Sequence, residues 1–131
     1  MVPQRREAPP NATAATAGAQ WQTIGTHTKY GGVTINAARS TIRQADNLTT
    51  MWDMWDFRSP QVAAGKRFVS FKEQMEYNCK NDRVRSISVT GYADHLGKGR
   101  VVDASYSHAA WTSVDRDGPV DLLHQVACGK R

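Results

Sequence analysis

The sequence predicts an α+β domain: a single antiparallel β-sheet of about six strands, covered on one face by one C-terminal α-helix. Three observations carry this expectation. Phe68 to Cys79 alternates, with Val69, Phe71, Met75, Tyr77 and Cys79 on one side and Ser70, Lys72, Gln74, Glu76 and Asn78 on the other. Short runs rich in Thr, Val, Ile and aromatic residues are separated by glycine or Asx turns, so strands adjacent in sequence are expected to pair. The spacing then switches near the end: Val120, Leu123, Val126 and Ala127 recur at i, i+3, i+6 and i+7, one helical stripe.

Taken in order, residues 1–20 are rich in Pro, Ala and Thr and lack aromatic residues. They offer too little apolar surface to offset the entropy of ordering, so a disordered tether is expected, with residues 21–131 as the folded domain. Trp21 to Thr28 and Val33 to Ile35 read as two strands joined through Tyr30-Gly31-Gly32, with Thr41-Ile42-Arg43 continuing or neighbouring the second. Leu48 to Phe57 fits both periods; the nearby turn signals Asp46-Asn47 and Ser59-Pro60 favour a strand. Its Trp52 and Trp55 suit a stacking platform in principle, but filling a small core is the simpler role.

Phe68 to Cys79 follows, and Glu73 alone breaks its alternation, which suggests a bulge or an edge. Asn81-Asp82 turns the chain into Arg83 to Tyr92, completing a hairpin. A glycine-bearing connection at Asp94 to Gly99 leads to a strand over Arg100 to Tyr106, and Trp111 to Val114 is a short apolar piece. Pro119 sits where a helix tolerates a missing N–H, and Gly129 is placed to end that helix. Cys128 lies at the helix end and Cys79 on the apolar strand face. Residue types leave two readings open here, a pair of free thiols or a bridge that clips helix to sheet.

The length of 131 residues allows one modest core. A formal charge of +5 favours anionic partners. No run approaches a membrane helix, and Met1 to Gln20 lacks the apolar stretch of a secretory signal. His27, His95, His108 and His124 have no metal-ligand spacing, and no cofactor or phosphate-loop motif occurs. Asp53 and Asp56 lack a visible partner, and Asp94-His95 in its glycine-flanked loop reads as a solvated turn. No catalysis, metal or cofactor is expected. The functional lead is a basic patch expected on the second half of the sheet: Lys66, Arg67, Lys72, Lys80, Arg83, Arg85, Lys98 and Arg100, diluted by Glu73, Glu76, Asp82 and Asp94.

Several segments together resemble the surface-adhesin protein E family of exported bacterial proteins. They are Trp21, Ser40-Thr41-Ile42, Phe68-Val69-Ser70 leading to Cys79, Gly97-Lys98-Gly99-Arg100-Val101-Val102, Trp111-Thr112-Ser113-Val114, and Cys128. The resemblance implies a disulfide between Cys79 and Cys128, and export to the periplasm or outer cell surface. It further implies a non-catalytic binding role towards a macromolecule, a host matrix protein or an anionic polysaccharide. The chain departs from the pattern at Asp117-Gly118-Pro119, where Pro-Gly-Ser is more usual, and in lacking a lipid-attachment cysteine near residue 1. The alternative reading is a periplasmic module that binds another envelope protein through an open sheet edge, where a homodimer could also form. Nucleic acid is not an expected partner.

Overall fold

The structure, a computed structural model, describes residues 12–106 and 108–129. In chain order the elements are a one-turn helix α1 (Ala12–Ala15), strands β1 (Gln22–His27), β2 (Val33–Ala45), β3 (Leu48–Ala63), β4 (Lys66–Asn78), β5 (Arg83–Tyr92), β6 (Val101–Tyr106) and β7 (Thr112–Ser113), and helix α2 (Pro119–Cys128). The first six strands pair in sequence order as an antiparallel meander, and β7 adds to β5 alongside Arg83 and Val84. This is the antiparallel sheet with a C-terminal helix that the sequence predicts, extended by one short strand.

Turn chemistry sets the hairpins. Asp46 and Asp82 take left-handed φ values of 58° and 56° at the β2–β3 and β4–β5 turns, a conformation that short polar side chains tolerate. Between β3 and β4, Ala64 and Gly65 both have positive φ, closing a two-residue turn between paired Ala63 and Lys66. Ser59-Pro60, read from sequence as a turn, instead lies within β3. The β3–β4 register shifts between Asp56 and Gln61, and such an irregularity accommodates a residue without an N–H.

Register assigns the two faces. Ile35, Met51, Trp55, Met75, Tyr77 and Val84 form the floor on which Leu123 and Ala127 of α2 rest. Trp52, Met54, Lys72, Thr90 and Tyr92 point the other way. Trp52 and Trp55, three residues apart on one strand, therefore belong to opposite faces; both are buried, so they fill the core and offer no stacking platform.

Helix α2 begins at Pro119 and is closed by Gly129 in the left-handed region, whose N–H donates to the carbonyls of Gln125 and Val126. Ten residues are too few for a helix to persist alone in water, so its docking depends on packing and on a covalent tie. Cys79 and Cys128 form that tie, with Cα atoms 5.5 Å apart and a sequence separation of 49.

The second face is covered as well. Of the segment expected as a tether, residues 12–20 lie against the sheet: the Ala12 N–H donates to Thr90 Oγ1 at 3.1 Å, Thr13 and Tyr92 hydroxyls bond at 2.7 Å, and Ala12 and Thr16 are buried. Their small side chains permit this close approach, which composition alone does not reveal. Residues 1–11 lie outside the described residues.

Candidate binding surface

The eight cations expected as one patch occupy four different environments. Lys66 and Arg67 open β4 at the tip of the β3–β4 hairpin, and both are exposed. Lys98 and Arg100 are exposed in the β5–β6 loop, at the end of the sheet where β4 begins. Arg58 of β3 lies exposed at that same end, immediately before Ser59-Pro60, and its side chain packs over Gly32 of the β1–β2 connection.

The β5–β6 loop is built to stay in place. Ala93 N–H donates to the Arg100 carbonyl at 2.9 Å and Asp94 N–H to the Lys98 carbonyl at 3.1 Å. Leu96 N–H donates to Asp56 Oδ1 at 2.7 Å, His95 Nδ1 lies 3.1 Å from the same carboxylate, and Gly97 N–H donates to Ser70 Oγ at 2.9 Å. Gly97 is required here. Its φ is +68°, and a Cβ would sit 2.5 Å from Lys72 Cε. The acid that holds the loop is thus Asp56, paired with His95, rather than the adjacent Asp94.

Asp56 is taken up by the loop and Asp103 pairs with Lys66 at 3.2 Å, an exposed contact, while the Asp94 carboxylate lies exposed against Gly99 and dilutes the positive charge there. Arg67, Lys98 and Arg100 carry no ion pair among the described residues. They are solvated cations on a fixed scaffold, suited to attracting an anionic surface.

The other four candidates are elsewhere. Lys80 and Arg83 flank the β4–β5 turn at the opposite end of the sheet, with Asp82 between them. Arg85 pairs with Glu76 at 2.7 Å and lies over the Trp111 ring at 4.5 Å, so its role is structural. Lys72 is buried beneath residues 12–21, donating to Thr16 Oγ1 at 3.2 Å between the rings of Trp21 and Tyr92. Burial lowers its pKa. A ligand on the outside cannot reach it. Lys72→Met is expected to leave stability within about 1 kcal/mol of wild type, since the lost contacts are offset by relief of ammonium burial; urea denaturation checks this.

One cluster was missed by the sequence reading altogether. Asp53 of β3 and Glu73 of β4 are direct cross-strand partners on the face beneath α2. Asp53 is fully buried, and among the described residues neither of its carboxylate oxygens has a hydrogen-bond partner. The Trp55 indole N–H and the Tyr77 hydroxyl, also buried, are unpartnered beside them. Glu73 is half-buried beside it, its side chain lying on the same face as Asp53. Burial pushes Glu73 up to about 7, with the Ser86 hydroxyl acting the other way. Burial raises Asp53 well above the usual carboxylate range, the neighbouring Glu73 adds to this, and Trp55 partly opposes it. The signal was Glu73 itself. It does not break the strand's phase but places an acid on the apolar face, while the bulge falls across from it at Ile87, skipped between the pairs Gln74–Ser88 and Met75–Ser86.

Shallow hollows include one of about 570 Å³ between Arg58 and the β1–β2 connection, one of about 230 Å³ lined by Asp82, Arg116, Asp121 and His124, and one of about 220 Å³ between Tyr30, Trp55 and the β7–α2 connection. Among the described residues no three of His, Cys, Asp and Glu converge as metal ligands, and no helix is long and apolar enough to cross a membrane.

A disulfide-tied helix on an antiparallel meander, with ordered loops at the sheet's ends, defines the class. The profile of surface-adhesin protein E matches residues 21–129, and the chain belongs to that family. Among solved structures it is similar to Haemophilus influenzae protein E in a selenomethionine form, at 13% identity and TM-score 0.58 over 97% of this chain and 96% of that one. A second form of the same protein aligns at 12% identity and TM-score 0.58, covering 72% and 80% of the two chains. At such identities the likeness is one of fold. No curated protein matches the chain by sequence.

Proposed function

We propose that this chain is an exported, non-catalytic bacterial binding protein of adhesin type, and that Arg67, Lys98 and Arg100, with Lys66 at the same end of the sheet, receive an acidic partner. The ligand class is a host matrix protein with an acidic patch or an anionic polysaccharide. The observation that supports this most is the rigid β5–β6 loop, which holds Lys98 and Arg100 exposed and unpaired at the end of the sheet. Both sheet faces are covered, which leaves ends and edges for recognition. Family membership supports the adhesin role and export to the periplasm or cell surface.

Surface charges separated from their partner by water are screened within about 10 Å at 0.1 M salt. Binding to immobilised heparin or an acidic matrix protein is therefore expected at low ionic strength and should weaken at least tenfold by 0.5 M salt. Salt-independent binding, or none to any acidic partner, contradicts the reading.

The alternative, a module for another envelope protein, draws on β6. Among the described residues this strand pairs only with β5, which leaves its outer edge open and Tyr106 exposed. Co-purification of one stoichiometric bacterial partner, lost on Ala104→Pro, would favour it. A homodimer through the same edge would appear as a concentration-dependent mass in sedimentation.

A further inference from the structure

We propose that Asp53 and Glu73 form a buried proton-binding pair that keeps at least one proton at neutral pH, and that draining it at alkaline pH loosens α2 from the sheet. The two carboxyls face each other across β3 and β4 on the side that α2 covers. Two carboxylates cannot both ionise in such a place without a compensating cation.

Among the described residues none of the cross-strand partners of this pair is basic; Lys29 lines the hollow beside Trp55 and is exposed. From β2 the facing residue is Ala37, paired with Asp53. From β5 come Val89, paired with Glu73, and the Ser86 hydroxyl. On β3 and β4 themselves the neighbours are Trp55 and Tyr77, the latter a phenol held neutral by burial and by both acids. Helix α2 contributes Leu123 and His124, whose ring meets the Tyr77 ring edge-on at 5.8 Å while its Nε2 faces the Asn78 carbonyl and, at 3.8 Å, Asp82.

A retained proton lowers the cost of leaving the Asp53 oxygens unpartnered, because a neutral carboxyl needs far less solvation than an anion. Empty of protons, the cluster would leave two anions facing Leu123 and Tyr77 in the floor beneath the helix.

The sign follows from the raised pKa of Glu73. Its contribution to stability is fully present below its ordinary value of 4.5 and is lost as pH rises through about 7. The unfolding equilibrium constant of the oxidised protein is thus expected to rise roughly a hundredfold between pH 5 and pH 9 through this pair. Amides of residues 122–128 should lose hydrogen-exchange protection over the same range, after correction for intrinsic rates. The Cys79–Cys128 bond would keep the helix attached while its packing opens.

The test is a carboxyl carbon NMR titration of the wild-type protein, combined with urea denaturation and hydrogen exchange of wild type, Glu73→Gln and Asp53→Asn. At least one carboxyl titrating at or above pH 7, with a pH slope flattened in either variant, supports the proposal. Both carboxyls titrating below pH 5 overturns it, and that result needs no variant to fold. A pH slope unchanged in the variants, or helix protection constant from pH 5 to 9, overturns it equally.

Discussion

Replacing Cys79 and Cys128 together with serine is expected to cost about 4 kcal/mol of stability, the chain-entropy value for a bridge closing a loop of this length. A domain of this size has about 5–15 kcal/mol in all, so the variant should sit close to the threshold of folding. Much of the effect acts through the unfolded chain, whose loop is no longer closed. The remainder acts through α2, whose end is no longer held beside β4. Urea denaturation of the oxidised protein and the double variant, at one pH, measures the difference; a loss below about 1 kcal/mol would mean that packing alone docks the helix.

Leu123→Ala is expected to be nearly as damaging, at about 3 kcal/mol. Leu123 is fully buried, and with Ala127 it is a helix residue that enters the cluster of Met51, Trp55, Met75 and Tyr77, the larger side chain of the two. The floor belongs to paired strands and cannot collapse far, so truncation leaves a cavity as well as removing apolar contact. Both this cost and that of the missing bridge depend on a docked helix. The combined variant should therefore lose less than the sum of the two, a coupling that a double-mutant cycle reads directly.

Much of this architecture was legible from residue types. The alternation of Phe68 to Cys79 placed Cys79 on the helix side, and the stripe from Val120 to Ala127 gave α2 its buried face with Leu123 at the centre. Glycine and Asx signals located the β1–β2, β2–β3 and β4–β5 turns. Ser59-Pro60 misled because proline was read as a terminator, whereas a register shift lets β3 run past it. Residues 12–20 misled because alanine and threonine carry little hydrophobic signal, yet their small size suits them to lie on Thr90, Tyr92 and Lys72.

The candidate site was less legible, since charge along a chain says nothing of which end of a strand it occupies. Lys66 and Arg67 start β4 while Lys80 follows its end, so the meander separates cations that look like neighbours. Lys72 belongs to the polar side of its strand, and only the covering segment makes that side an interior. Asp53 and Glu73 are twenty positions apart and meet through register alone. The exception in the alternation was visible, but its partner was not.

The separation of cations also supplies the sharpest test. Binding to heparin or to an acidic matrix protein at low salt should be compared between Arg67→Ala/Lys98→Ala/Arg100→Ala and Lys80→Ala/Arg83→Ala. The account predicts at least a tenfold loss of affinity for the first variant and near wild-type affinity for the second. Equal losses in both would reduce recognition to net charge, and retained binding by the first would contradict a site at the β5–β6 loop.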